Sequence, residues 1–147
     1  WESFCSPNGF HLNGDYKRRG YSAFHYRPFT LESLYAHCDA IQEMLLQNHQ
    51  GYLHVFPAVP DCWGGSGSFR PLRVYGGILV SAQMKGGEGK RITLEGGIPQ
   101  TVRIKNTFSA SALKISKDTS CVSMSLNLGE IIEVYHDGTI TEITLQG

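Results

Sequence analysis

Ile78-Leu79-Val80-Ser81-Ala82-Gln83-Met84-Lys85, running into Gly86-Gly87-Glu88-Gly89, is the stretch that decides the fold. Ile78, Val80, Ala82 and Met84 alternate with Leu79, Ser81, Gln83 and Lys85. Successive side chains of a strand point to opposite faces, so this alternation gives a strand with one core face. The glycine run reads as a hairpin connection, with residues 91–95 as the returning strand. Further strands are expected at 101–105, 112–116, 121–126, 130–136 and 139–145. The last two flank Asp137-Gly138, a dipeptide that suits the positive φ angles of a type I′ hairpin turn. Short antiparallel strands at this spacing predict a β-sandwich, because a single sheet leaves its apolar face wet.

Upstream the period changes. Leu34, Cys38, Ile41 and Leu45 recur at spacings of four, three and four, and Met44 reinforces the stripe. That is one amphipathic helix, expected over 34–47 and ended by Gly51. A short strand is expected at 52–56, stopped by Pro57 and Pro60. Residues 61–67 read as a glycine-rich linker, and residues 1–30 as an aromatic, turn-rich loop. No second helix in the chain is available to cover the face running from Leu34 to Leu45. That face therefore predicts a missing partner, either more of a longer chain or another copy.

Composition limits the function. Lys+Arg and Asp+Glu stand at 13 each, so no basic field for nucleic acid or an anionic membrane is expected. No apolar run approaches the roughly 20 residues that span a bilayer. The chain opens on Trp1 rather than Met, as expected of a processed or excised piece. Cys5, Cys38, Cys62 and Cys121 include no C-x-x-C pair, which argues against a zinc ribbon. Isolated buried thiols are favoured over any of the three disulfide pairings, and the redox compartment stays open. His11, His25 and His37 fit no zinc spacing, and neither glycine run has the context of a phosphate loop. No metal or cofactor is implied.

Three linked motifs carry a family resemblance. Arg27-Pro28-Phe29-Thr30-Leu31-Glu32 is followed by Ala40-Ile41-Gln42-Glu43-Met44-Leu45-Leu46-Gln47-Asn48-His49-Gln50-Gly51. Then come Pro57-Ala58-Val59-Pro60-Asp61-Cys62-Trp63 and Gly67-Ser68-Phe69-Arg70-Pro71-Leu72-Arg73-Val74-Tyr75-Gly76-Gly77. Over residues 4–95 the order and content resemble glycoside hydrolase family 95, the α-L-fucosidase type. The resemblance implies residues 1–66 as the end of an (α/α)6 catalytic barrel and 67–147 as a C-terminal β-sandwich. It also implies inverting hydrolysis of α-L-fucosides or α-L-galactosides, with secretion or a periplasmic location as a family expectation.

An inverting glycosidase needs a carboxylic acid to protonate the leaving oxygen and a carboxylate base to activate water, roughly 6.5–9.5 Å apart. Aligning the helix motif with the family puts Glu32 on the base; the acid and two assisting asparagines belong upstream of Trp1. The isolated chain is therefore expected to be inactive. The family mostly carries Asp followed by Gly-Asn-Phe at this place, whereas Glu32 precedes Ser33-Leu34-Tyr35. Without the resemblance, Glu32 reads as a solvated carboxylate in a helix's first turn, favoured there by the dipole. His25 and Arg27, just ahead of it, are candidates to reach a sugar hydroxyl. Trp63 is expected as a buried anchor, and the loop aromatics as packing. The alternative function is an autonomous carbohydrate-binding β-sandwich module without catalysis. It is disfavoured because residues 76–147 hold only Phe108 and Tyr135 as aromatics. The expected partners are a glycan substrate, the upstream barrel, and a second copy through the helix face.

Overall fold

The structure, a computed structural model, describes residues 12, 14–25, 31–108, 112–117 and 120–145, with only the backbone of Ser33 and Ala112. The chain divides into two compact units, Trp1–Gln42 and Glu43–Gly147. In the first, Asp15 is fully buried and organises a loop around itself. Its N–H donates to the Phe24 carbonyl at 2.8 Å, and its Oδ2 accepts from the Tyr21 N–H at 3.0 Å. Tyr21 and Phe24 themselves are exposed.

Helix α1 spans Leu31–Leu45. It starts three residues before the expected stripe, and the acidic Glu32 in its first turn complements the helix dipole. It also stops two residues early. Leu46 leaves the helix to pair with Val55 in the two-stranded sheet of β1 (Leu46–Gln47) and β2 (His54–Val55). Leu46 and Val55 are both buried in the β core, so burial overrides the helical propensity of Met44-Leu45-Leu46-Gln47. No described helix is long and apolar enough to cross a membrane.

The second unit is a two-layer β structure. Its larger sheet has the order β3-β4-β5-β10-β7-β8, with every neighbouring pair antiparallel. The strands are β3 (Gly67–Arg73), β4 (Leu79–Lys85), β5 (Glu88–Glu95), β7 (Ala112–Lys117), β8 (Ser120–Ser125) and β10 (Thr141–Leu145). The second layer pairs β6 (Gln100–Lys105) with β9 (Ile131–His136). Leu53 bridges to Ile104 of β6 in parallel, and its N–H donates to the Arg103 carbonyl at 2.7 Å.

The alternating residues Val80, Ala82 and Met84 face inward, and so do Ile92, Leu94, Leu113 and Ile143. Val102, Ile104, Ile132 and Val134 meet them from the other layer in one core. Full burial of such side chains contributes about 1.5–3 kcal/mol each. The sandwich expected from the spacing is what forms.

Three local features explain the departures. Gly86 and Gly87 have φ of 67° and 78°, which lets Lys85 pair with Glu88 across a two-residue turn. Strand β3, which contains Pro71, was not among the strands expected from the sequence. It is the sheet's edge strand, and its register shifts between Phe69 and Leu72, where a residue lacking an N–H is tolerated. Asp137-Gly138 does not join a hairpin. β9 pairs with β6 while β10 lies between β5 and β7, so this turn carries the chain from one layer to the other. Only Gly138 has positive φ, and the Asp137 carboxylate caps the Thr139 N–H at 3.0 Å.

Candidate functional site

Glu32 stands in the first turn of α1 with an exposed side chain. His25 is exposed as well, and its Nδ1 donates to the Asp15 carbonyl at 3.1 Å. That bond fixes the tautomer, because a carbonyl only accepts, and leaves Nε2 as the ring's acceptor. Arg27 lies outside the described residues. Along α1, Leu31 is 43% exposed, Tyr35 66% and Ile41 52%, while Leu34, Met44 and Leu45 are half-buried. Glu43 Oε2 lies 3.5 Å from His49 Nδ1, with both side chains about half exposed, a contact that contributes little to stability.

Trp63 is 37% exposed rather than buried. It closes a 3-10 turn, Asp61–Trp63, where its N–H donates to the Pro60 carbonyl at 3.0 Å. Cys38, Cys62 and Cys121 are free and exposed, contrary to the expectation of buried thiols; Cys5 lies outside the described residues. Among the described residues no group of three or more His, Cys, Asp and Glu could hold a metal ion.

The sequence reading did not single out a cleft in the β unit. It has a volume of about 150 Å³ and an apolar floor of Leu53, Val74, Ile78 and Val102. Its rim is formed by Asn48, Tyr52, Tyr75, Gln100, Thr101 and Arg103. Tyr75 is 75% exposed. Two elements bring the tyrosines here: the turn ahead of β2, stitched to β6 through Leu53, and the 3-10 turn Tyr75–Gly77 ahead of β4. Both tyrosines precede residue 76, so the search for aromatics among the C-terminal strands could not find them.

A second cleft, of about 350 Å³, opens on the outer face of the large sheet. Arg70, Arg91, Gln83, Thr93 and Glu142 line it, and Arg91 lies 3.9 Å from Glu142. Two residues from Tyr52, the pKa of His54 is lowered, first by burial and then by the positive charge of Lys105.

Residues 47–139, well over half of the chain, match the family model described as glycoside hydrolase family 95, C-terminal domain. Among curated proteins nothing matches the sequence.

Proposed function

Because the chain belongs to glycoside hydrolase family 95 and carries its C-terminal domain, we propose that it is the C-terminal portion of an inverting α-L-fucosidase. The match over residues 47–139 carries this reading. Glu32 is the general base. It is supported by its exposed position at the start of α1, the helix that leads directly into the matched region. Residues 1–66 are the end of the catalytic barrel and 67–147 the β-sandwich that braces it. Residues 47–66 fall within both the compact β unit and the matched region.

In the reaction, the Glu32 carboxylate takes a proton from a water molecule as that water attacks the anomeric carbon. A carboxylic acid roughly 6.5–9.5 Å away protonates the leaving oxygen. That acid and the asparagines that hold the water come from the upstream barrel. His25, through its accepting Nε2, and Arg27, as a donor, bind sugar hydroxyls. The barrel also covers the apolar residues that α1 exposes.

The test compares the chain alone with the same chain joined to an upstream family barrel, using an aryl α-L-fucoside. The chain alone gives no turnover. The joined protein is active, and Glu32→Gln lowers its kcat by about 10²–10⁴-fold, the usual worth of a general base. Turnover by the chain alone, or a Glu32→Gln variant that keeps full activity, would defeat the reading. Cleavage of a different glycoside only would keep the family role and remove the fucoside assignment.

A further inference from the structure

The cleft between Tyr52 and Tyr75 combines aromatic side chains, an apolar floor and a rim of hydrogen-bonding groups in which Arg103 alone is charged. Tyr75 leaves three-quarters of its surface in water, yet the turn that presents it is held firmly. The Val74 N–H donates to the Ile78 carbonyl at 2.9 Å, the Gly77 N–H to Val74 at 3.2 Å, and the Ile98 N–H to Gly76 at 3.0 Å. Arg73 Nη1 adds a bond to the Gly77 carbonyl at 3.2 Å. A fixed, exposed aromatic gains nothing in folding, whereas a bound ring gains from the pre-organised surface.

Gln100 is set the same way. Gly76 has φ of 76°, and a Cβ there would come within 1.8 Å of Gln100 Nε2, so only glycine lets this amide lie along the rim. Arg103 Nε lies 3.4 Å from Glu133 Oε1, which offsets its charge and makes the rim close to neutral.

We propose that this cleft is a sugar subsite that receives one neutral pyranose ring of a glycan. A volume of roughly 150 Å³ takes a benzene-sized six-membered ring; the cleft has that volume and is open to solvent, so the hydroxyls of a pyranose extend over its rim. The ring's C–H face lies on Tyr75 and the apolar floor, while Asn48, Gln100 and Arg103 bind its hydroxyls. The paired guanidinium favours an uncharged sugar over a uronate or sulfated one. This inference rests on the glycosidase reading for its ligand class, but its geometry lies entirely within the β unit.

The test is a titration of the whole chain with L-fucose, lactose and 2′-fucosyllactose, followed by amide chemical shifts. Saturable shifts are expected at Tyr52, Tyr75, Gly76 and Thr101. Tyr75→Ala and Arg103→Gln each weaken binding by about ten-fold, as for central aromatic and arginine contacts, while the melting temperature stays that of the parent. Absence of saturable shifts with all three sugars overturns the proposal, as does unchanged affinity in Tyr75→Ala. Equal binding of lactose and 2′-fucosyllactose upholds the subsite. A Glu32-dependent fucosidase in the joined protein with no binding in the cleft defeats the subsite and leaves the hydrolase reading intact. Binding here without hydrolysis in the joined protein does the reverse.

Discussion

His136 is fully buried, and both its ring nitrogens are used. Nε2 donates to the Gly96 carbonyl at 2.6 Å, so Nδ1 accepts from the Thr141 hydroxyl at 3.1 Å. The residue ends β9 in one layer and ties it to the end of β5 and the start of β10 in the other. His136→Ala empties that space and strands the buried Thr141 hydroxyl and the part-buried Gly96 carbonyl. A loss of about 2–4 kcal/mol is expected in urea unfolding. Thr141→Val removes one hydrogen bond and should cost about 1 kcal/mol. The two losses should not add, because the side chains share a bond.

His54 makes stability depend on pH. Its pKa in the fold is lowered, so the unfolded chain binds a proton near the ordinary value of about 6.5 while the folded chain does not. Stability is full above that value and falls as the pH drops towards the lowered folded pKa. His54→Gln should flatten the melting temperature through this window. Glu130 and Asp137 are also shifted down, Glu130 by bonds from Asn127 and Asp137 by bonds from Thr139. Their contributions persist above the ordinary carboxylate range and disappear only as the pH falls through their lowered values.

At the scale of elements, α1 and the sheet edges carry the consequences. The helix has a legible apolar repeat, yet Leu31, Tyr35 and Ile41 remain substantially exposed. The apolar face proposed for the parent's barrel should drive self-association when the chain stands alone. Sedimentation at rising concentration should show dimers or larger species, and Ile41→Asp should restore the monomer. A chain that stays monomeric over the whole range would remove the helix face as a contact.

Strand β3 shows the opposite case, an element hidden in the sequence by Pro71. It is stable because the proline sits at an edge strand's irregularity. Leu72→Pro would place a second proline beside it, where the ladder resumes opposite Val80. A loss of about 1–3 kcal/mol is expected there, because the proline removes a ladder hydrogen bond and leaves a carbonyl of β4 without its donor.

At the scale of the molecule, the core cluster runs from Leu46 to Ile143 and belongs wholly to the unit Glu43–Gly147. Residues 43–147 should therefore fold without the first 42. Urea unfolding of this segment should be one cooperative transition with a slope of about 1–3 kcal/mol per molar. A broad, slope-poor transition would show that the sandwich depends on the N-terminal unit.

The sequence by itself determined the sandwich, because alternation in 78–85 has a period that only a strand can use. It located α1 through its repeat and marked the Gly86-Gly87 turn, since local backbone chemistry fixes both. It also carried the motifs between Gln47 and Gly77 that lie inside the family match, which depend on residue order alone. Tertiary structure alone decided that the last strand enters between β5 and β7, which makes Asp137-Gly138 a passage between layers and not a hairpin turn. Pairing between distant strands is chosen by burial in the finished core, and no local window contains that information. The cleft rim is the same kind of fact. Tyr52, Tyr75 and Arg103 are far apart in sequence and become neighbours because Leu53 bonds to β6 and Gly76 fits under Gln100.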